Sequence, residues 1–250
     1  MRPGQDGVGG VMCDDRRVTA HPDAATAAPP DLDAETTLGE SRWPPALALV
    51  LFMGVNVALR VWLPHESAIG IPWAVPAIEG VLLLLLLLGP ATGARPRRWL
   101  RPLAVTFVVV LVLAALWATA TLIRDLIDGS GVTASPSELL ASGAVVWLGN
   151  NLAFALLYWL MDGGGPAARA RRLEPVDFAF TQQMSPELAP PGWRPVFLDY
   201  LHLGFTNATA FSPTDVMPLS LRAKYTMLVQ SSVALALFGL VVARAVNAFA

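Results

Sequence analysis

Long apolar stretches alternate with short polar ones along most of this 250-residue chain. A helix needs about 20 mostly apolar residues to cross a bilayer core of roughly 30 Å. Five stretches are long and apolar enough for this, at residues 43–63, 71–90, 102–123, 138–161 and 225–249. The pattern therefore predicts an all-α fold, a polytopic transmembrane bundle with about five spanning helices.

A sixth apolar stretch, residues 195–211, is shorter and carries Asp199 and His202. Ionisable side chains are costly in lipid, and irregular backbone at membrane depth survives only where protein or water covers it. We therefore expect a short or re-entrant membrane helix that packs among the others, not a lipid-facing crossing.

The first 41 residues have a different composition. They are rich in Gly, Ala, Pro, Asp and Thr and show no hydrophobic periodicity. Such a segment cannot bury enough apolar surface to offset the entropy of ordering it. We predict a disordered tail over residues 1–41, followed by one transmembrane domain over residues 42–250.

Basic residues are unevenly distributed among the loops. The loops near residues 91–101 and 162–174 are basic, whereas the loop near residues 124–138 is mostly acidic. Loops rich in Lys and Arg stay in the cytoplasm. We predict a multi-pass protein of the plasma membrane with a cytoplasmic N-terminus and the lipid bilayer as its main partner. If residues 195–211 only dip into the membrane, the last helix runs outward.

The composition argues against several other functions. Hydrophobic residues make up 54% of the chain and charged residues 14%, against roughly 25% charged in soluble domains. The net charge of −2 offers no basic field for nucleic acid. Cys13 is the only cysteine and the three histidines are far apart, so we expect no disulfide, metal site or cofactor. No nucleophile accompanies the Asp199–His202 pair, so we do not expect an enzyme.

The polar stretch FTNATAFSPTDVMPLS, residues 205–220, directly precedes the last apolar run. Its hydroxyls and carboxylate could line a membrane pocket for a cation or a small polar solute. Alternatively, Thr214 or Asp215 caps the last helix and Pro218 occupies its first turn. The residue types leave both interpretations open.

Asn150 and Asn151 lie in the middle of the fourth predicted span. Amides at that depth either form hydrogen bonds between helices, with Asn207, Thr209 or Ser231 as candidate partners, or line the same pocket. The candidate pocket residues are Asp199, His202, Asn207, Thr209, Ser212, Thr214, Asp215, Asn150 and Asn151.

Two further motifs follow the fourth span. DGGGP, residues 162–166, ends that helix, with glycine in the left-handed cap and proline preventing its continuation. RARR, residues 169–172, sets the topology or holds anionic lipid.

The segment LDYLHLGFTNATAFSPTDVMPLSLRAKYTMLVQSSVALALFGLVVARAVN, residues 198–247, resembles the pore segment and last helix of two-helix pore-loop cation channels. Phe205, Thr209, Asp215 and Pro218 have compatible spacing. The chain departs from the potassium filter where Ser-Pro-Thr replaces Gly-Tyr-Gly, and the loop enters from the opposite side of the membrane. The resemblance implies a channel-like or transport-related homo-oligomer. The alternative is a non-transporting structural or accessory membrane protein.

A second resemblance covers roughly the second half of the chain. Three sequence motifs are similar to those of an uncharacterised family of bacterial integral membrane proteins: YWLMDGGGP, DYLHLGFTNATAFSPTD and MPLSLRAKYTMLVQS. This resemblance implies membrane integration and no particular activity.

Overall fold

The computed structural model describes residues 40–41, 43–62, 74–88, 100–128, 136–172, 174–209 and 215–249. The chain divides after Glu35 into two units, and every described residue belongs to the second one. The predicted tail lies outside the described residues, apart from Glu40 and Ser41. Ser212 and Thr214 of the candidate pocket also lie outside them.

Helices dominate the described residues, which confirms the all-α prediction. The helices are α1 (Trp43–Trp62), α2 (Ala74–Leu88), α3 (Leu100–Asp128), α4 (Pro136–Met161), α5 (Pro166–Ala170), α6 (Thr181–Met184), α7 (Phe197–Thr209) and α8 (Leu221–Phe249). Two three-residue strands, β1 (Phe178–Phe180) and β2 (Val216–Pro218), form an antiparallel pair with Phe178 opposite Pro218.

Three helical stretches in the described part of the chain are long and apolar enough to cross a membrane. They are Arg101–Arg124 in α3, Ser137–Ala170 from α4 into α5, and Leu221–Arg244 in α8. The apolar part of α1, Trp43–Gly54, is shorter. Three of the five predicted spans therefore have a helix of membrane length.

Helix α4 is the centre of the bundle and packs against α1, α3, α7 and α8. Its residues 150–156 are all buried, and Phe154 and Tyr158 belong to the main core with Phe178 and Tyr200. A helix that is apolar on all sides is typical of a buried or membrane-spanning position. By contrast, α3 and α8 expose large apolar side chains, among them Leu113, Trp117, Leu228, Leu235 and Phe238.

Helix α7 starts beside the end of α4 and runs antiparallel to it. The ring of Phe197 lies edge-on to Trp159, with 5.9 Å between ring centroids, and eight residues later Phe205 lies edge-on to Trp147 at 5.3 Å. Between these contacts, a Cβ on Gly204 would lie 3.3 Å from the carbonyl oxygen of Asn151. The lack of a side chain at Gly204 therefore lets the two helices approach closely.

The chain returns from α7 to the end of the bundle at which α7 began. Asp215 lies next to β2, β2 pairs with β1, and the Leu219 N–H donates to the Asp177 carbonyl at 2.7 Å. We call the two described segments, residues 197–209 and 215–218, the hairpin. Its helix has 13 residues and a length of about 20 Å, less than the thickness of a bilayer core.

The last helix begins earlier than predicted, at Leu221 instead of residue 225. Ser220 caps it, since its Oγ accepts the Ala223 N–H at 3.2 Å. The interpretation in which Asp215 caps this helix and Pro218 lies in its first turn is therefore wrong, and its alternative cap, Thr214, lies outside the described residues. Pro218 lies in β2, and pairing with β1 keeps the chain extended up to that residue.

Candidate functional site

Asp162, the first residue after α4, is fully buried and joins three segments. Its Oδ1 accepts the backbone N–H groups of Asp177 and Phe178 at 2.6 and 3.2 Å. Its Oδ2 accepts the phenol of Tyr200, in the first turn of α7, at 2.5 Å. A buried carboxylate needs such donors because burial removes its hydration. Asp162 therefore holds both β1 and the start of the hairpin against the end of α4.

Three glycines allow the chain to reverse direction directly after Asp162. Gly163, Gly164 and Gly165 have φ angles of 55°, 79° and 88°, a region that other residues adopt only with strain. Pro166 then starts α5. The predicted left-handed glycines at the end of α4 are confirmed, whereas the anchoring role of Asp162 was not predicted.

The Arg169 side chain is buried beside Asp162 and donates to carbonyl groups at the end of α4. Its Nη1 donates to the carbonyl oxygens of Trp159 and Asp162 at 3.0 and 2.7 Å. Its Nη2 lies 2.6 Å from the Glu40 carboxylate, and the Arg169 and Glu40 side chains are only 7% and 14% exposed. Glu40 also accepts the indole N–H of Trp159. This ion pair fixes the segment that leads into α1.

The aromatic ring of Tyr200 lies under the same guanidinium group, with Cζ of Arg169 5.0 Å from the ring centroid. Burial raises the pKa of the Tyr200 phenol above its ordinary value. The phenol therefore remains protonated and keeps donating to Asp162.

Asp177 forms a second anchor, between β1 and α8. Its two carboxylate oxygens accept Nε and Nη2 of Arg222 at 2.6 and 2.7 Å, a bidentate arrangement. The Ser220 hydroxyl donates to the same carboxylate at 2.5 Å. Together, Asp162 and Asp177 hold both ends of the hairpin.

A buried polar network lies deeper in the bundle, around Gln230 of α8. Its Oε1 accepts the Tyr158 hydroxyl at 2.7 Å and the Asn207 amide at 2.8 Å. Its Nε2 donates to the Gly204 carbonyl at 2.9 Å and lies 3.5 Å from the Asn151 oxygen. The network therefore joins α4, α7 and α8 through side chains that bond to one another.

The two adjacent asparagines of α4 have different environments. Asn150 donates to the Thr119 hydroxyl of α3 at 2.6 Å, a bond between helices. Asn151 donates to the Trp147 carbonyl of its own helix and reaches the network only through Gln230. The candidate partners Thr209 and Ser231 are wrong, because their hydroxyls donate to carbonyls of their own helices.

The exposed side of the hairpin carries a second set of predicted residues. His202 Nε2 lies 2.9 Å from Asp215 Oδ2, and the two side chains are 59% and 38% exposed. Thr209 is exposed on the same helix, with its hydroxyl bonded to the Phe205 carbonyl. Asp199 accepts the Val196 N–H at 2.7 Å and so caps the start of α7.

The structure thus separates the candidate pocket into two groups. Asn207 and Asn151 both contact Gln230 inside the bundle, His202 and Asp215 meet on the exposed side of the hairpin, and Asn150 bonds to Thr119. Across the described residues, the structure brings together no group of three or more His, Cys, Asp or Glu residues that could hold a metal ion.

The roles of six residues of the site were not predicted from the sequence, although two of them belong to the DGGGP and RARR motifs: Asp162, Arg169, Asp177, Tyr200, Arg222 and Gln230. Gln230 could have been recognised as a polar residue within an apolar stretch. Asp162 could have been recognised as an acidic residue that follows an apolar stretch and directly precedes three glycines. Neither Asp177 nor Arg222 interrupts a long apolar run, so the sequence gives no comparable signal for them.

Comparisons with models of protein families, with curated proteins and with solved structures found no match to this chain. The resemblances to pore-loop channels and to a bacterial membrane protein family therefore stay predictions.

Proposed function

We propose that the chain is a multi-pass membrane protein with about five crossings, made by α1, α2, α3, α4 and α8. We propose further that it is channel-like or transport-related, with the hairpin as a re-entrant element beside the path of a cation or a small polar solute. The observation that carries the proposal is the course of the hairpin. The chain enters the bundle along α4 and returns to the end at which it entered.

The depth of the hairpin supports this proposal. Asn207 bonds to Gln230, which lies nine residues beyond Leu221 at the start of α8. At 1.5 Å per residue, this contact is about 14 Å along α8. A bilayer core is roughly 30 Å thick. A hairpin of this length ends near the middle of the membrane.

Basic residues support an orientation with this end of the bundle in the cytoplasm. The end where α4 stops and α3, α7 and α8 start carries Arg101, Arg169, Arg171, Arg172, Arg222 and Lys224. The opposite ends of α3 and α8 carry Arg124 and Arg244. The excess favours the cytoplasm for the first group. Helix α1 also starts there, because Glu40 contacts Arg169, which supports the proposal of a cytoplasmic N-terminus.

The exposed polar groups of the hairpin support a water-lined path. His202 and Asp215 lie on its outer side, and polar groups at membrane depth need water or protein around them. One hairpin cannot enclose a path by itself. We therefore propose that several copies of the chain surround it.

Cysteine accessibility tests the re-entrant course. In a Cys13→Ser background, Thr209→Cys should react with a membrane-impermeant maleimide from one side only. That side should be the one from which Arg171→Cys reacts. Leu235→Cys, on the exposed apolar side of α8, is the control and should not react from either side. Reaction of Thr209→Cys from the side opposite to Arg171→Cys would overturn the re-entrant course.

Flux measurements test transport. Protein reconstituted into liposomes should conduct a cation or a small polar solute, and Asp215→Ala should alter the rate. Glu174→Ala, which removes an exposed carboxylate at the same end of the bundle, is the matched control and should leave the flux unchanged. If wild-type protein conducts no cation and no small polar solute, transport is ruled out.

A non-transporting structural or accessory role is the second candidate. It is favoured by the way the side chains of Tyr158, Asn207 and Gln230 bond to one another instead of facing an open space. For this role, Asp215→Ala should change protein stability or abundance and nothing else.

A further inference from the structure

The structure divides the basic motif at residues 169–172 into an internal and an external part. Arg169 is buried against Glu40, whereas Arg171 and Arg172 are exposed. They lie in a turn in which the N–H groups of Arg171 and Arg172 each donate to a carbonyl three residues earlier, at 3.1 Å. Arg172 has a φ of 51°, which places it in the left-handed region at the end of that turn. Two consecutive guanidinium groups are therefore available at the surface.

The charges of these two arginines are not balanced by nearby acids. Among the described residues, neither side chain forms a hydrogen bond or an ion pair. The nearest acid along the chain, Glu174, lies 3.4 Å from Arg101, and both of those side chains are about half exposed. Three guanidinium groups therefore accompany one carboxylate, which leaves an excess of positive charge. Arg169 and Arg222 differ, because Glu40 and Asp177 neutralise them.

This surface lies where two helices of membrane length end. Arg101 starts the apolar stretch Arg101–Arg124, and Arg171 directly follows the stretch Ser137–Ala170. Glu174, two residues after Arg172 in the chain, lies 3.4 Å from Arg101, which brings the start of the first stretch near the end of the second. In a bilayer, the ends of apolar helices lie at the level of the lipid headgroups. The three arginines are therefore at the depth of lipid phosphates.

We propose that Arg101, Arg171 and Arg172 form a binding surface for the phosphate groups of anionic lipids. The planar guanidinium group donates two parallel hydrogen bonds to phosphate, and juxtamembrane basic clusters attract anionic headgroups. The inference depends on the membrane placement proposed above and is independent of transport. The surface makes this end of the bundle more stable in an anionic membrane than in a neutral one.

The experiment compares the full chain in two kinds of lipid nanodisc, one of phosphatidylcholine and one of phosphatidylcholine mixed with phosphatidylglycerol. Wild-type protein should have a higher Tm in the anionic nanodisc and should retain phosphatidylglycerol in native mass spectrometry. The double variant Arg171→Gln/Arg172→Gln should lose most of both effects. Arg171→Lys/Arg172→Lys preserves the charge and should keep most of the Tm increase.

The matched control is Arg124→Gln/Arg244→Gln, which removes the same charge from the opposite ends of α3 and α8 and should retain both effects. Equal losses in the two glutamine variants, or no lipid effect on wild type, would overturn the proposal. An equal Tm increase with inorganic phosphate in detergent would identify a site for free phosphate and would also overturn it. Protein that does not enter the bilayer would instead contradict the membrane placement itself.

Discussion

The phenol of Tyr200 donates a 2.5 Å hydrogen bond to the fully buried carboxylate of Asp162, 38 residues earlier in the chain. This bond joins the first turn of α7 to the end of α4. Because the other oxygen of the same carboxylate accepts two N–H groups at the start of β1, one side chain sets the position of both elements. The hairpin is therefore fixed at its base.

Tyr200→Phe tests this anchor. The substitution keeps the aromatic ring, which packs edge-on against Phe180 with 5.3 Å between centroids, and removes only the donor. We expect a loss of about 1–3 kcal/mol in the free energy of unfolding, because a buried acceptor loses a partner. The measurement is thermal or denaturant unfolding in detergent.

Tyr225→Phe is the control for this change. Tyr225 lies on α8 and is 66% exposed, so the same removal of a hydroxyl should alter the free energy of unfolding by less than about 0.5 kcal/mol. Equal effects of the two substitutions would show that the Tyr200–Asp162 bond does not stabilise the fold.

Gln230→Leu tests the buried network that joins α4, α7 and α8. Leucine has a similar volume, yet it leaves the Tyr158 hydroxyl without its acceptor and weakens the bonding of Asn207. Bonds of this kind between membrane helices contribute about 0.6 kcal/mol on average and up to about 1.7 kcal/mol. The loss of several should lower the free energy of unfolding by about 1–3 kcal/mol.

A double-mutant cycle with Tyr158→Phe makes this prediction specific. If the two side chains act through their shared bond, the double variant should lose less stability than the sum of the single variants. Ser232→Ala, at an exposed position of α8, should have little effect. Strict additivity of Gln230→Leu and Tyr158→Phe would contradict the network.

The sequence predicted the helices that depend on local composition. Helices α3, α4 and α8 follow from apolar runs of membrane length, and the short α7 follows from a run that is too short and too polar to cross. The start of α8 was placed four residues late, because Arg222 and Lys224 lower the local hydropathy although they belong to the helix. The three-residue strands have no pattern long enough to be recognised, and their pairing depends on the hairpin.

The candidate site was only partly predictable, for a related reason. Asn151 was identified because an amide within an apolar stretch is unusual, and Asn207 because it belongs to the polar stretch at residues 205–220; both contact Gln230. The anchors depend on contacts between residues far apart in the chain: 38 residues for Asp162 and Tyr200 and 45 for Asp177 and Arg222. Neither composition nor spacing encodes such contacts in a single sequence.

The contact between His202 and Asp215 predicts a specific cross-link. In a Cys13→Ser background, His202→Cys/Asp215→Cys should be joined within one chain by a short bifunctional thiol reagent, because the native side chains lie 2.9 Å apart. Mass spectrometry of the digested protein should find the two cysteine peptides linked. The link would report that Asp215 lies beside α7.

The control pairs Asp215→Cys with Ser137→Cys, which lies at the start of α4 and so at the opposite end of the bundle. This pair should remain unlinked under the same conditions. If both pairs link equally, the cross-link would reflect motion of the chain and not the contact between positions 202 and 215. If neither pair links, the return of the chain beside His202 is contradicted.

Gly164→Ala tests the reversal that places Asp162. Gly164 has a φ of 79°, and a Cβ there would lie 2.7 Å from Glu174 Cδ and 2.9 Å from Ala168 Cβ. Gly192 has a similar φ of 71°, yet a Cβ there meets no atom within 4 Å. Backbone strain of this kind costs about 1–3 kcal/mol and should affect both alanine variants. Only Gly164→Ala should lose additional stability from the overlap, and the difference in Tm between the two variants measures it. The half-exposed Glu174 side chain can rotate away, so the additional loss should come from the overlap with Ala168 Cβ in α5. Equal Tm values for the two variants would show that the turn does not depend on close packing at Gly164.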